Sequence, residues 1–147
     1  MTIQECYAQM GADYNEVFRR LYNEAMIRKF VLLFPKDDSF HNLEAALKEQ
    51  NVKEAFRAAH TLKGVCQNLG FSNLYAPAVT LTETLRAGQL EGTAEQFAEV
   101  EKQYRITMAA IQALDRTERN TPPHPLPFWK GAAGYCIIAA FFVFRSR

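Results

Sequence analysis

Between Thr2 and Arg116 the apolar side chains recur mostly three and four residues apart, and the stretch lacks alternating runs bounded by turn residues. Spacing of three and four lines one face of a helix, whereas a half-buried strand needs a period of two. The chain is therefore expected to be all-α.

Interruptions in the pattern place the helices. A short first helix spans about residues 2 to 9 and ends at Gly11. Asp13 with Glu16 makes an acceptor-x-x-Glu capping pattern for the second, and Asn23 can cap the third. The third carries Met26, Phe30, Leu33 and Phe34 on one side and stops at Pro35, whose ring cannot continue a helix. Phe40, Leu43 and Leu47 form the stripe of a fourth. Asn51 with Glu54 repeats the capping pattern and opens a helix to about Leu69, which Gly70 can close in the left-handed conformation. Ser72 can cap the next, with Leu74, Ala78, Leu81 and Leu85 at core spacing and Gly88 as its stop. Pro77 lies too deep for the first turn of that helix and predicts a kink or a later start. The last helix, roughly Ala94 to Arg116, places Phe97, Val100, Tyr104, Met108, Ile111 and Leu114 on one stripe. The four longest segments, joined by connections of a few residues, predict an antiparallel four-helix bundle with the short N-terminal helices across one end.

Residues 1 to 118 thus form one helical domain. Residues 119 to 147 change character, with a proline-rich linker leading into an apolar run from Gly131 to Phe144. Those fourteen residues fall short of the roughly 20 that span a bilayer. Membrane contact through 131 to 144 is therefore not the expected role; a weak anchor, a tail packed on the bundle and a piece of a longer protein all fit the segment.

Seventeen Lys and Arg against sixteen Asp and Glu leave the chain near neutral, so charge gives no argument for nucleic acid as a partner. All sixteen acids but only thirteen of the basic residues lie at or before Glu118, which leaves that part with a net charge of −3. Cys6, Cys66 and Cys136 are odd in number, far apart and without Cys-x-x-Cys spacing, which argues against a disulfide framework and a zinc site. The opening MTIQECYAQM has an acid where a signal peptide needs basic residues, and lacks an apolar core. A cytoplasmic location is expected.

The helix opened by Asn51 carries the chemistry. With Val52 at zero and about 100° per residue, Ala55, Phe56, Ala59, Leu62, Cys66 and Leu69 fall in an arc from about 260° through zero to about 40°. That arc is the expected buried face. His60 falls near 80°, Gln67 near 60°, Gly64 near 120° and Lys63 near 20°, so the imidazole flanks the core and can face solvent. A solvent-facing imidazole offers a neutral ring nitrogen as a nucleophile at cellular pH. A phosphoryl group landing there brings negative charge, which the Lys63 ammonium one turn along can offset. Gln67, two turns on, can donate a hydrogen bond to the same group. Gly64 lets a partner's active site approach closely; its cost of about 1 kcal/mol against alanine in a helix suggests a functional or packing need. Singly, each residue has an ordinary structural reading. The combination carries the argument.

The stretch AAHTLKGVCQNLG resembles the signature of histidine-containing phosphotransfer (HPt) domains, His-x-x-Lys-Gly with a glycine six residues later. His60, Lys63, Gly64 and Gly70 stand on the diagnostic positions, and the resemblance covers about residues 1 to 116. Val65 and Cys66 stand where the family often has Ser or Ala. The resemblance implies a phosphocarrier in which His60 accepts a phosphoryl group from a receiver-domain aspartate and passes it to another receiver. It implies as partners the receiver domains of hybrid histidine kinases and response regulators. Mg²⁺ and the acids that organise it are expected in the receiver, with no cofactor, metal or kinase activity in this chain. A monomer is expected. No nucleotide-binding glycine loop occurs in the sequence, so self-phosphorylation from ATP is not expected. Receiver docking needs an apolar patch with a polar rim beside His60, and the candidates are Phe71, the exposed edge of Leu69 and the helix around His41, with ordinary core packing the favoured alternative for Phe71.

Two other classes compete. A carboxylate-bridged di-metal bundle needs Glu-x-x-His pairs, and none of His41, His60 and His124 has a glutamate three residues before it. The stronger alternative is a non-catalytic helical interaction module that binds receivers without carrying phosphate. The presence of histidine, lysine and glycine in register argues against it.

Overall fold

A computed structural model of the protein describes residues 1 to 120. Its helices are α1 Ile3–Met10, α2 Tyr14–Leu21, α3 Glu24–Leu33, α4 Ser39–Lys48, α5 Val52–Leu69, α6 Ser72–Arg86 and α7 Thr93–Arg119, with a 3-10 turn at Phe34–Lys36. The described residues contain no strand, and the fold is all-helical.

Local chemistry explains most boundaries. Thr2 and Glu5 form a reciprocal capping box that opens α1. The side chains of Asp13, Asn23 and Asn51 accept from the backbone N–H groups of Asn15, Met26 and Glu54. The glutamates of the two anticipated capping patterns act elsewhere: Glu16 pairs with Arg20, and Glu54 with Arg57. Pro35 lies in the 3-10 turn just past α3.

Three boundaries differ from the sequence reading. Ser72 is the first residue of α6, and the cap position belongs to Phe71, which has no side-chain acceptor. Pro77 sits inside a helix that is continuous from Ser72 to Arg86, so the later start does not occur. Proline there removes a single N–H, while Leu74 and Ala78 on either side of it are buried. α7 starts at Thr93 behind Gly92 and continues to Arg119. The buried face of α3 is also turned, to Ile27, Phe30 and Val31, leaving Met26 exposed. The segment MIRKFVLLF is apolar on nearly every side, so periodicity alone does not choose the face.

α4, α5, α6 and α7 each pack on the next in sequence, and α1 lies against α7. Phe40 stacks on Tyr104 with centroids 3.9 Å apart, which joins α4 to α7. Tyr7, Phe34 and Phe71 are the bulkiest fully buried side chains, with Phe34 edge-on to Phe71 at 5.1 Å. No described helix is long and apolar enough to cross a membrane. The apolar run at 131 to 144 lies outside the described residues.

Candidate functional site

α5 lies between α4 and α6 and buries Ala55, Ala58, Ala59, Leu62, Val65, Cys66 and Leu69. This face is wider than the anticipated arc because the helix is covered on two sides. Ala58, for example, lines an open cleft with Ala45 and Ala46 of α4. Phe56, expected within the core, is only half-buried.

His60 is exposed, as its position on the wheel requires. Its ring lies 5.8 Å from the Phe56 ring at a tilt of 41° and makes no hydrogen bond among the described residues. Lys63, half-buried and one turn along, forms no ion pair among the described residues, so its ammonium is not committed to a carboxylate. Gln67 is exposed two turns from His60, and Gly64 is half-buried beside them. The helix therefore presents His60, Lys63 and Gln67 on successive turns.

The end of α5 is tied down by the N-terminal helices. Tyr7 donates through its hydroxyl to the Leu69 carbonyl at 2.5 Å, and the Arg20 guanidinium donates to the Gln67 carbonyl. Gly70 N–H donates to Gln67 and Phe71 N–H to Cys66. Carbonyls that a helix terminus leaves without partners are thus satisfied from α1, α2 and the following turn. Gly70 has φ +68°, and a Cβ there would lie 3.1 Å from Val17 Cβ. The second glycine of the motif consequently serves the close approach of α2. Burial pushes the Cys66 thiol well above its ordinary range, so within the motif it is a core residue and not a reactive one.

Two of the anticipated docking residues do not reach the surface. Phe71 is fully buried against the rings of Tyr7 and Phe34, and Leu69 is 7% exposed. Both fill the core beneath the α5–α6 turn, where apolar area is worth most removed from water. His41 is exposed on α4, but its ring meets Phe40 and Tyr104, so it leans toward α7.

Arg86 was not visible as a neighbour of the motif. Its guanidinium carbon stands 5.5 Å from the centre of the Phe56 ring. The signal was available: a tight turn at Gly70 makes α5 and α6 antiparallel, and Phe56 and Arg86 lie nearly equidistant from it. Among the described residues no group of three or more His, Cys, Asp and Glu is placed to hold a metal ion.

The family model for the Hpt domain matches residues 37 to 116, more than half of the chain. No curated protein and no solved structure matches it. The match takes in all of α4, α5 and α6 and most of α7, with His60 inside it, and leaves α1 to α3 outside. Hpt domains serve phosphotransfer in phosphorelays as carriers rather than catalysts. With an all-helical fold and more than half its length inside that match, this chain belongs to the Hpt domain family.

Proposed function

We propose that this protein is a phosphocarrier whose His60 takes a phosphoryl group from the aspartate of one receiver domain and hands it to that of another. The observation that carries this reading is an exposed imidazole, free of hydrogen bonds among the described residues, with an uncommitted lysine one turn away. A neutral ring nitrogen attacks phosphorus, the P–O bond to the aspartyl group breaks, and the carboxylate leaves with the bonding electrons. The proton on the other ring nitrogen stays or passes to water. Attack by the second receiver's carboxylate reverses these bond changes and frees the imidazole.

Lys63 offsets the charge that the phosphoryl group brings, Gln67 donates to one of its oxygens, and Gly64 leaves room for the receiver. Mg²⁺ belongs to the receiver side of this reaction. In this reading α4 to α7 are an antiparallel four-helix bundle and residues 1 to 118 the carrier domain, working as a monomer in the cytoplasm. With Phe71 and Leu69 buried, the receiver docks on the cleft floored by Ala45, Ala46 and Ala58, beside the exposed face of α5.

The test is incubation with a phosphorylated receiver. Acid-labile, base-stable phosphate on the wild type and none on His60→Gln supports the carrier. Binding with no phosphate on either protein supports the interaction module instead.

A further inference from the structure

A row of rings climbs along α2 from the core to the surface. Tyr7 is fully buried, Tyr14 meets it edge-on at 5.6 Å, Phe18 stacks on Tyr14 at 5.8 Å, and Tyr22 meets Phe18 at 6.1 Å. Phe18 is 39% exposed, Tyr22 76%, and Met26, four residues further on, 42%. Half of the large exposed apolar side chains among the described residues thus lie at the α2–α3 junction.

Tyr22 also has an unusual backbone. It ends α2 in the left-handed conformation, at φ +51°, a position that glycine fills at the ends of α1 and α5. A bulky L-residue is disfavoured there, and a ring left in water returns little to the fold. The packing of the bundle explains neither the strain nor the exposure.

This patch faces away from the motif. Arg20, which donates to the Gln67 carbonyl, and Phe18 stand about 160° apart around α2, on either side of buried Val17. Three partly exposed side chains also offer far less than the roughly 800 Å² per partner of a stable interface between folded domains, so a short apolar segment fits them better.

The chain supplies such a segment beside the patch. Glu118, near the end of α7, accepts from Arg28 of α3 at 2.5 Å, and Arg28 is two residues past Met26. Tyr22 lies within about 13 Å of Arg28, the length of one turn of α3 and two extended residues. Residues 121 to 130 can extend over roughly 30 Å, and they lead to the apolar run at 131 to 144. Charge agrees: residues 1 to 118 carry a net −3, and Arg119, Lys130, Arg145 and Arg147 beyond them have no acidic counterpart.

We infer that the apolar run at 131 to 144 docks on the patch of Phe18, Tyr22 and Met26 of the same chain. Docking removes these side chains from water and leaves the His60 face of α5 open. It does not depend on what His60 carries.

The test places a nitroxide on Cys136, within the run; Cys6 and Cys66 are buried and do not compete for the reagent. Amide intensities of the 147-residue chain are compared before and after the label is reduced. The amides of Phe18, Tyr22 and Met26 are expected to lose most of their intensity to the active label. That of Leu90 should lose none, because it precedes the far end of α7, a 27-residue helix about 40 Å long. Asparagine suits a left-handed cap, so Tyr22→Asn removes the outermost ring and keeps the bundle. The intensities at Phe18 and Met26 are expected to recover in part in Tyr22→Asn, and those at Met26 fully when Phe18→Gln is added. No loss in the wild type, or an equal loss in the variants, overturns the docking. A loss that also appears when nitroxide-bearing chains without ¹⁵N are mixed with unlabelled ¹⁵N chains assigns the patch to a second copy and overturns it as well.

Discussion

The Tyr7 phenol donates a 2.5 Å hydrogen bond to the Leu69 carbonyl, across a sequence separation of 62 residues. It joins the first helix, which lies before the matched family segment, to the last residue of the helix that bears His60. Tyr7 is fully buried, and burial holds its phenol protonated well beyond its ordinary range. Tyr7→Phe keeps the packing and orphans the carbonyl, so it should cost about 1–3 kcal/mol in urea unfolding, the usual penalty for one unsatisfied buried group. An unchanged unfolding midpoint would show that this bond contributes nothing net.

The two glycines that bracket α6 separate conformational strain from crowding. Gly70 and Gly88 both have positive φ, +68° and +76°, but a Cβ meets Val17 and Asp13 at Gly70 and nothing within 4 Å at Gly88. Gly88→Ala should lose only about 1–2 kcal/mol, the cost of a left-handed L-residue. Gly70→Ala should lose measurably more, because α2 must also move. Equal losses by thermal denaturation would mean that α2 yields freely.

Lys63→Ala should slow phosphoryl uptake by His60 from a phosphorylated receiver by about tenfold, as expected for losing one charge-assisted contact. Lys63 has no ion pair among the described residues, so circular dichroism and the unfolding midpoint should match the wild type. Equal transfer rates in a rapid-quench comparison would remove Lys63 from the site.

Alkaline pH should weaken the fold. Burial raises the Cys6 thiol from 9.0 to about 11, against an opposing effect of Arg28, and burial raises Cys66 further. Thiols in the unfolded chain release protons near 9.0 while the folded ones keep theirs, so the unfolded state binds fewer protons above that pH. Stability is therefore complete below pH 9 and falls as pH rises toward 11. Urea midpoints at pH 8 and pH 10.5 should differ, and the difference should shrink in the Cys6→Ala, Cys66→Ala double variant. A flat profile in the wild type would contradict the burial of both thiols.

The helices, the caps at Asp13, Asn23 and Asn51, the closure at Gly70 and the solvent-facing side of His60 were all legible in the sequence. These features depend on residues within about one helical turn of each other, where sterics and hydrogen bonding are local. Periodicity stops being informative where a segment is apolar all round. That is why the buried face of α3 could not be read from it. Residues that meet only through packing were decided by the tertiary structure alone: Tyr7 with Leu69 and Val17 against Gly70. Such contacts depend on how the helices cross and how deeply each one sinks. Close packing of the whole core sets those quantities, and no run of neighbouring residues encodes them.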